Sequence, residues 1–207
     1  MARKTKAEAE ATRQSILDAA EQVFISHGVA RTSLEEVART AQVTRGAVYW
    51  HFRNKSDLFE AMLERVRLPM TEMVENVTSE TTSCLEDLRK LCLHGLRTLA
   101  EDKRHFRVYK ILFHHTESER SLRAQDKLAS EAIDKVTRFF ESHPCHESLT
   151  PRKAARSLHV QMLGIYYDWL RNPEAYDLRE EAESLVNTIF RGICPGFEPS
   201  SMETHTP

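Results

Sequence analysis

The sequence predicts an all-α fold, and three observations carry that prediction. Apolar residues recur at three- and four-residue spacing along most of the chain. Caps and prolines punctuate the pattern where helices would start and stop. Glycine is scarce, six in 207 residues, and no stretch alternates convincingly as a half-buried strand would. About nine helices follow from this pattern.

The first helix is expected over about 8–27, with Ile16, Leu17, Ala20, Val23 and Phe24 on one face. Gly28 is placed to end it in a left-handed turn. Ser33 with Glu36 reads as a capping box, opening a short helix with Leu34, Val37, Ala38 and Ala41 on its apolar face. A turn of about three residues leads to Thr44, the N-cap of a third helix. Val48 and Phe52, with Val43, face inward there, which leaves Arg45, Gly46, Tyr49, Trp50 and His51 outward. A solitary surface helix has no reason to carry Tyr, Trp and His bare, so a partner is implied. Arg39, Arg45, Arg53 and Lys55 stand in a stretch without Asp or Glu, a surface suited to phosphates. The pattern is a helix-turn-helix.

A fourth helix starts at Lys55 or Ser56 and buries Phe59, Met62, Leu63 and Val66, and Pro69 must kink or break it. Ser83 with Glu86 reads as a second capping box, opening a helix with Leu85, Leu88, Leu91, Cys92, Gly95 and Leu96. Phe106, Tyr109, Leu112 and Phe113 line the next. A longer helix over about 119–142 carries Leu128, Ala132, Ile133, Val136, Phe139 and Phe140. Thr150-Pro151 is a cap followed by proline at the first position. The helix it opens has two apolar stripes: Ala155, Leu158, Met162, Ile165, Tyr166 and Trp169, then Val160, Leu163, Gly164 and Tyr167. Two apolar sides require burial on two sides, one against its own domain and one against a second subunit. Asp177 with Glu180 caps the last helix, whose apolar face includes Leu185 and Ile189.

Residues 1–67 hold eleven Lys or Arg against nine Asp or Glu, and the remainder eighteen against twenty-two. A locally basic face on an acidic body suits a site-specific DNA binder rather than a general nucleic-acid coat. No run of apolar residues is long enough for a membrane span, and the polar start is no signal peptide, so the expected location is cytoplasmic, on the nucleoid. Cys84, Cys92, Cys145 and Cys194 are widely spaced and read as free thiols. A Gly-rich phosphate loop, a nucleophile elbow and a zinc helix are all missing, so no catalysis, cofactor or metal is expected.

Residues 12–67 resemble the DNA-binding domain of TetR-family repressors. The likeness rests on Phe24, Gly28, Thr32, the run Arg45-Gly46-Ala47-Val48-Tyr49-Trp50-His51-Phe52, and Asn54-Lys55-Ser56-Asp57-Leu58, in the family's order and spacing. The opening Ala2-Arg3-Lys4-Thr5-Lys6 and the Gly46–Phe52 core are most similar to the AcrR-like branch, repressors of multidrug efflux operons in Gram-negative bacteria. Beyond residue 67 the likeness is weaker, with local similarity around Leu163-Gly164 and Asp168-Trp169-Leu170-Arg171.

The resemblance implies an N-terminal three-helix DNA-binding domain followed by a larger helical ligand-binding and dimerisation domain. The expected layout is 1–54 for the arm and helix-turn-helix, 55–82 for a connecting helix broken near Pro69, 83–196 for the regulatory domain, and 197–207 for a disordered tail. The last two helices pair with their copies in a four-helix bundle, with Val160, Leu163, Gly164, Tyr167, Leu185 and Ile189 at the interface. Double-stranded DNA with a palindromic operator is the expected partner of the homodimer. Arg45 is the candidate for a bidentate guanine contact, and Gly46 allows close approach. Thr44, Tyr49, His51 and Lys55 match the family's phosphate-contacting positions, and Thr32 and Ser33 are expected at the backbone too. Trp50 has two roles open: packing on a thymine methyl or sugar, or wedging against the fourth helix. Residues 2–7 are either a basic arm along the DNA or a tail without fixed contacts.

By the same resemblance, Leu88, Leu91, Cys92, Tyr109, Phe113, Ile133, Val136, Phe140, Met162 and Tyr166 line a cavity for a hydrophobic or amphipathic inducer. Apolar residues at this spacing equally make plain core. The competing controls are cysteine oxidation, a metal held by His114, His115, His143, Cys145 and His146, and a protein antirepressor. The expected function is repression of an efflux operon, relieved by the inducer.

Overall fold

The computed structural model describes residues 5–79, 83–114, 119–143 and 145–199. Among them every regular element is an α-helix: α1 (Lys6–His27), α2 (Leu34–Thr40), α3 (Arg45–His51), α4 (Lys55–Ser79), α5 (Leu85–Glu101), α6 (Lys103–His114), α7 (Glu119–Glu141), α8 (Pro151–Arg171) and α9 (Leu178–Ile193). Residues 2–4 of the basic arm, His115 and most of the tail lie outside the described residues, as do the side chains of His114 and Leu128.

Most caps fall where the sequence puts them, and the details differ. Thr5 caps α1 reciprocally with Glu8, two residues before the expected start. Gly28 ends α1 at φ 80° and ψ 154°, an extended conformation reserved to glycine rather than the expected left-handed helical turn. The Ser33 box is half made: Ser33 Oγ accepts from the Glu36 N–H at 3.2 Å, while the Glu36 carboxylate meets His27 at 2.8 Å. The expected Ser83–Glu86 box gives way to a later start. α5 begins at Leu85, Asp87 accepts from the Cys84 N–H at 2.8 Å, and Glu86 turns to Arg89. Thr150 caps α8 with Pro151 at its first position, and Asp177 caps α9 by accepting from the Arg179 N–H.

α4 is not broken at Pro69. It runs through that residue as one helix of 25 residues, although proline has no N–H for the Arg65 carbonyl. One turn earlier, His105 of α6 bonds the Val66 carbonyl at 3.2 Å.

The chain divides into two compact units. The first joins residues 1–69 to 102–126, so α6 clusters with the N-terminal helices rather than with the rest of 83–196. The reason is chemical. Val108 and Ile111 of α6 belong to the same core as Ile16, Leu17, Phe24, Val48, Leu58 and Met62. Burial of each large apolar side chain contributes about 1.5–3 kcal/mol. Glu21 of α1, fully buried, draws in Arg104 and Arg107 of α6 and Arg65 of α4.

The second unit joins residues 70–101 to 127–207. α5 packs most extensively on α9, and both pack on α8. Arg89 of α5, 1% exposed, is held by Glu86, by Asn187 at 3.0 Å and by Glu183 at 3.6 Å. Gly95 is close-packed: a Cβ there would stand 2.9 Å from the Tyr166 hydroxyl.

Candidate nucleic-acid interface

α2, the turn and α3 form a rigid two-helix unit. The Ala41 N–H returns to Val37 C=O at 2.9 Å, and the Val43 N–H to Ala38 C=O at 3.0 Å. Between them Gln42 takes φ 55°, the left-handed conformation that reverses the chain. Thr44 Oγ1 then accepts from the Ala47 N–H at 3.1 Å and starts α3. Val48 and Phe52 are buried, anchoring α3 from below.

The outward face carries what the sequence assigned to it. Arg45 and Gly46 are exposed, and Tyr49 and Trp50 are 46% and 72% exposed. His51 is half-buried and meets Trp50 edge-on at 4.5 Å. At that exposure Trp50 is no wedge against α4. Arg45 is not idle: its guanidinium pairs with Glu35 of α2 and stacks over the Tyr49 ring at 5.3 Å. Tyr49 first, and then the Glu35 charge, raise its pKa further above the ordinary value. Glu35 was not among the expected site residues, because sequence spacing alone does not show that α2 brings it to Arg45.

Two expected phosphate contacts are engaged inside the protein. Thr32 is 3% exposed and donates its hydroxyl to Gly28 C=O at 2.9 Å, so its side chain stitches the α1–α2 loop rather than facing outward. Lys55 donates to Ala30 C=O and Thr32 C=O, both at 2.8 Å, and burial lowers its pKa. Its ammonium therefore clamps the loop to the start of α4, with one of its three N–H bonds left. Ser33 remains exposed. Asn54, missed as a cap, accepts from the Asp57 N–H at 2.9 Å and opens α4.

The comparisons with known proteins agree with this geometry. The model for "Bacterial regulatory proteins, tetR family" matches residues 16–62, and the model for "MAATS-type transcriptional repressor, C-terminal region" matches residues 83–193. The chain belongs to the TetR family. It is a DNA-binding transcriptional regulator, not an enzyme. It is 35% identical to the transcriptional regulator AcrR of Shigella flexneri over 94% of this chain and 96% of that one. It is 32% identical to the probable acrEF/envCD operon repressor of Escherichia coli over 94% and 92%. Among solved structures, NalD, the secondary repressor of the MexAB-OprM multidrug efflux pump in Pseudomonas aeruginosa, matches with TM-score 0.83 and 39% identity, over 91% of this chain and all of that one. A SmeT–triclosan complex matches with TM-score 0.83 and 33% identity, over 95% and 99%.

In this TetR-family chain, the expected dimer face separates into two kinds of residue. Val160, Leu163 and Tyr167 of α8 are 57%, 43% and 49% exposed, and beyond the helix's own backbone nothing stands within 4 Å of where a Gly164 Cβ would lie. Ile189 is 5% exposed, already part of its own core, so it has little surface to offer a second copy. Leu185 is half-buried.

The expected inducer-lining residues also separate. Leu88, Leu91, Ile133 and Phe140 are each at most 6% exposed and belong to the packed interior. Cys92, Val136, Met162 and Tyr166 are half-buried in the same unit. Tyr109 and Phe113 lie in the first unit, stacked at 6.3 Å. An open groove of about 450 Å³ in the second unit is bordered by Trp169, Tyr176, Asp177 and Arg179, and by none of the ten. Among the described residues no cluster of three His, Cys, Asp or Glu is placed to hold a metal ion, and no helix is long and apolar enough to cross a membrane.

Proposed function

We propose that the protein is a homodimeric repressor of a multidrug efflux operon, released from a palindromic operator by a hydrophobic small molecule. The carrying observation is the outward face of α3, with Arg45, Gly46, Tyr49 and Trp50 exposed above the buried Val48 and Phe52. Relatives named as repressors of efflux systems support the operon class, and the triclosan complex of SmeT supports an apolar inducer. The bare apolar stripe of α8 supports pairing with a second copy.

In this reading Arg45 reads guanine, while Ser33, Thr44, Tyr49, His51 and the free N–H of Lys55 meet phosphates. Cys92, Val136, Met162 and Tyr166 are the residues with surface to offer an inducer. A ligand that prefers the DNA-incompetent state weakens DNA binding by its differential affinity.

The test is binding to the DNA upstream of its own gene and of its neighbour, with random competitor DNA, and with hydrophobic antibiotics or biocides added. Specific binding released by one compound is expected. Absence of a preference of about 10³ or more over random DNA, both there and after selection from random sequences, overturns it. Arg45→Ala should relax sequence preference, with mismatched sites gaining relative to the operator by about 1–3 kcal/mol. Equal loss on operator and random DNA removes Arg45 from base reading. Tyr167→Glu should yield folded monomers by analytical ultracentrifugation, and an unchanged dimer would move the interface elsewhere.

A further inference from the structure

We propose that Cys145 and Cys194 are a latent disulfide pair, closed by peroxide into a bond that ties the α7–α8 loop to the C-terminal end of α9. The inference is independent of the DNA reading. The residues next to the two cysteines are already joined, with the His146 N–H donating to Ile193 C=O at 2.8 Å. The Cα atoms of Cys145 and Cys194 belong to the two peptide units that share this hydrogen bond, which holds them within roughly 8 Å of each other. A disulfide spans about 4.4–6.8 Å at Cα, so the pair stands at or near closing distance. Cys194 is the C-cap of α9, with extended backbone at φ −122° and ψ 95°, so the chain has left the helix where the bond would form. The thiols also sense each other: burial first, and then the charge of Cys145, push the Cys194 thiol up to about 12. Both are free in the resting protein, with the Cys145 thiol donating to His143 C=O at 3.7 Å. Closure requires Cys145 Sγ to leave that carbonyl for Cys194.

Exposure sets the order of events. Cys145 is half-buried and Cys194 is 1% exposed, so Cys145 meets the oxidant. Its thiolate attacks one oxygen of hydrogen peroxide. An S–O bond forms, the O–O bond breaks, and the departing hydroxide takes up the thiol's proton as water. The Cys194 thiolate then attacks the sulfenic sulfur. The S–S bond forms, the S–O bond breaks, and the second hydroxide leaves as water with the proton of Cys194. Two thiols lose two electrons, and one peroxide becomes two waters. Burial raises the pKa of both thiols, so thiolate is scarce at neutral pH and closure is slow. The pair answers a sustained oxidant load rather than a trace signal.

The full-length protein is reduced, freed of reductant, treated with hydrogen peroxide, blocked with a maleimide and digested without reduction. The expected product is a linked peptide pair carrying Cys145 and Cys194, two hydrogens lighter than the separate peptides. It should form at a rate independent of protein concentration and disappear with dithiothreitol. Its rate should climb about tenfold per pH unit above neutrality, as a thiolate-limited step does. Cys84→Ser should leave it intact, and Cys145→Ser should abolish it while the helical circular dichroism is retained. Oxidation should raise the unfolding midpoint of the wild type and not that of Cys145→Ser. Peroxide that drives Cys145 to sulfinic acid while Cys194 stays a thiol overturns the proposal. So do cross-links that run only through Cys84.

Discussion

The two units solve one problem with opposite charges. The first buries a carboxylate, Glu21, and surrounds it with three guanidiniums from α4 and α6, Arg65, Arg104 and Arg107. The second buries a guanidinium, Arg89, and surrounds it with Glu86, Glu183 and Asn187, two of them on α9. In both, the buried charge sits on one helix and its distant partners on the helices packed against it. A buried ion pair adds little net stability over an apolar replacement, but removing one partner leaves the other stranded. Such a centre favours one arrangement of helices over its slipped alternatives. The difference lies in the partners' charge. Three guanidiniums meet Glu21, whereas two carboxylates and one neutral amide meet Arg89.

Removing the central charge tests this comparison most severely. Glu21→Ala should cost about 3–5 kcal/mol in urea unfolding, because Arg107 loses its carboxylate and Arg65 and Arg104 are left to Asp18. Glu21→Gln should recover only part of that loss; full recovery would mean that the charge is irrelevant and the comparison fails. Arg89→Met should cost less, about 2 kcal/mol, because Met replaces much of the stem packing and only two carboxylates lose a partner. A loss equal to that of Glu21→Ala would make the two centres equivalent. The smallest effect belongs to a cap. Neutral side chains, Thr5, Ser33, Thr44 and Asn54, open the first four helices, whereas the charged Asp102 opens α6 in the first unit and Asp177 opens α9 in the second. The Arg179 hydrogen bonds hold Asp177 at about 2, below the ordinary 3.8. A carboxyl held below its unfolded value stabilises the fold above about pH 4 and loses that contribution as pH falls toward 2. Asp177→Asn keeps the cap and should narrow to no difference from wild type at the acid end. A difference independent of pH would remove the charge from the account.

The helix count, the helix-turn-helix and the outward face of α3 were legible because periodicity and caps are local properties. The caps at Thr44 and Thr150 needed nothing beyond their own first turns. What the sequence concealed depends on contacts between distant segments. Glu21 sits on a helix with a single apolar face, and nothing nearby in sequence announces three arginines 44 to 86 residues away. Lys55 has the residue type of a phosphate ligand, and only the folded loop shows two carbonyls holding it. Ile189 has interface chemistry but faces its own core. Pro69 carries the sequence signature of a break or kink, yet α4 continues through it as one helix.

The Arg45–Glu35 pair makes recognition an exchange rather than an addition. An acceptor on the proposed operator that takes the Nη1 edge of Arg45 must displace a carboxylate already in place. A single phosphate oxygen offers like for like, so the trade is close to neutral. A guanine edge presents two acceptors in one plane and matches the guanidinium fork. In the proposed operator complex Arg45 is thus a comparator, passing over sites that offer one acceptor and settling where two coincide. Salt screens both sides of the exchange, so the ions released on account of this arginine should number fewer than one, and searching along the duplex stays fast where a free cation would cling.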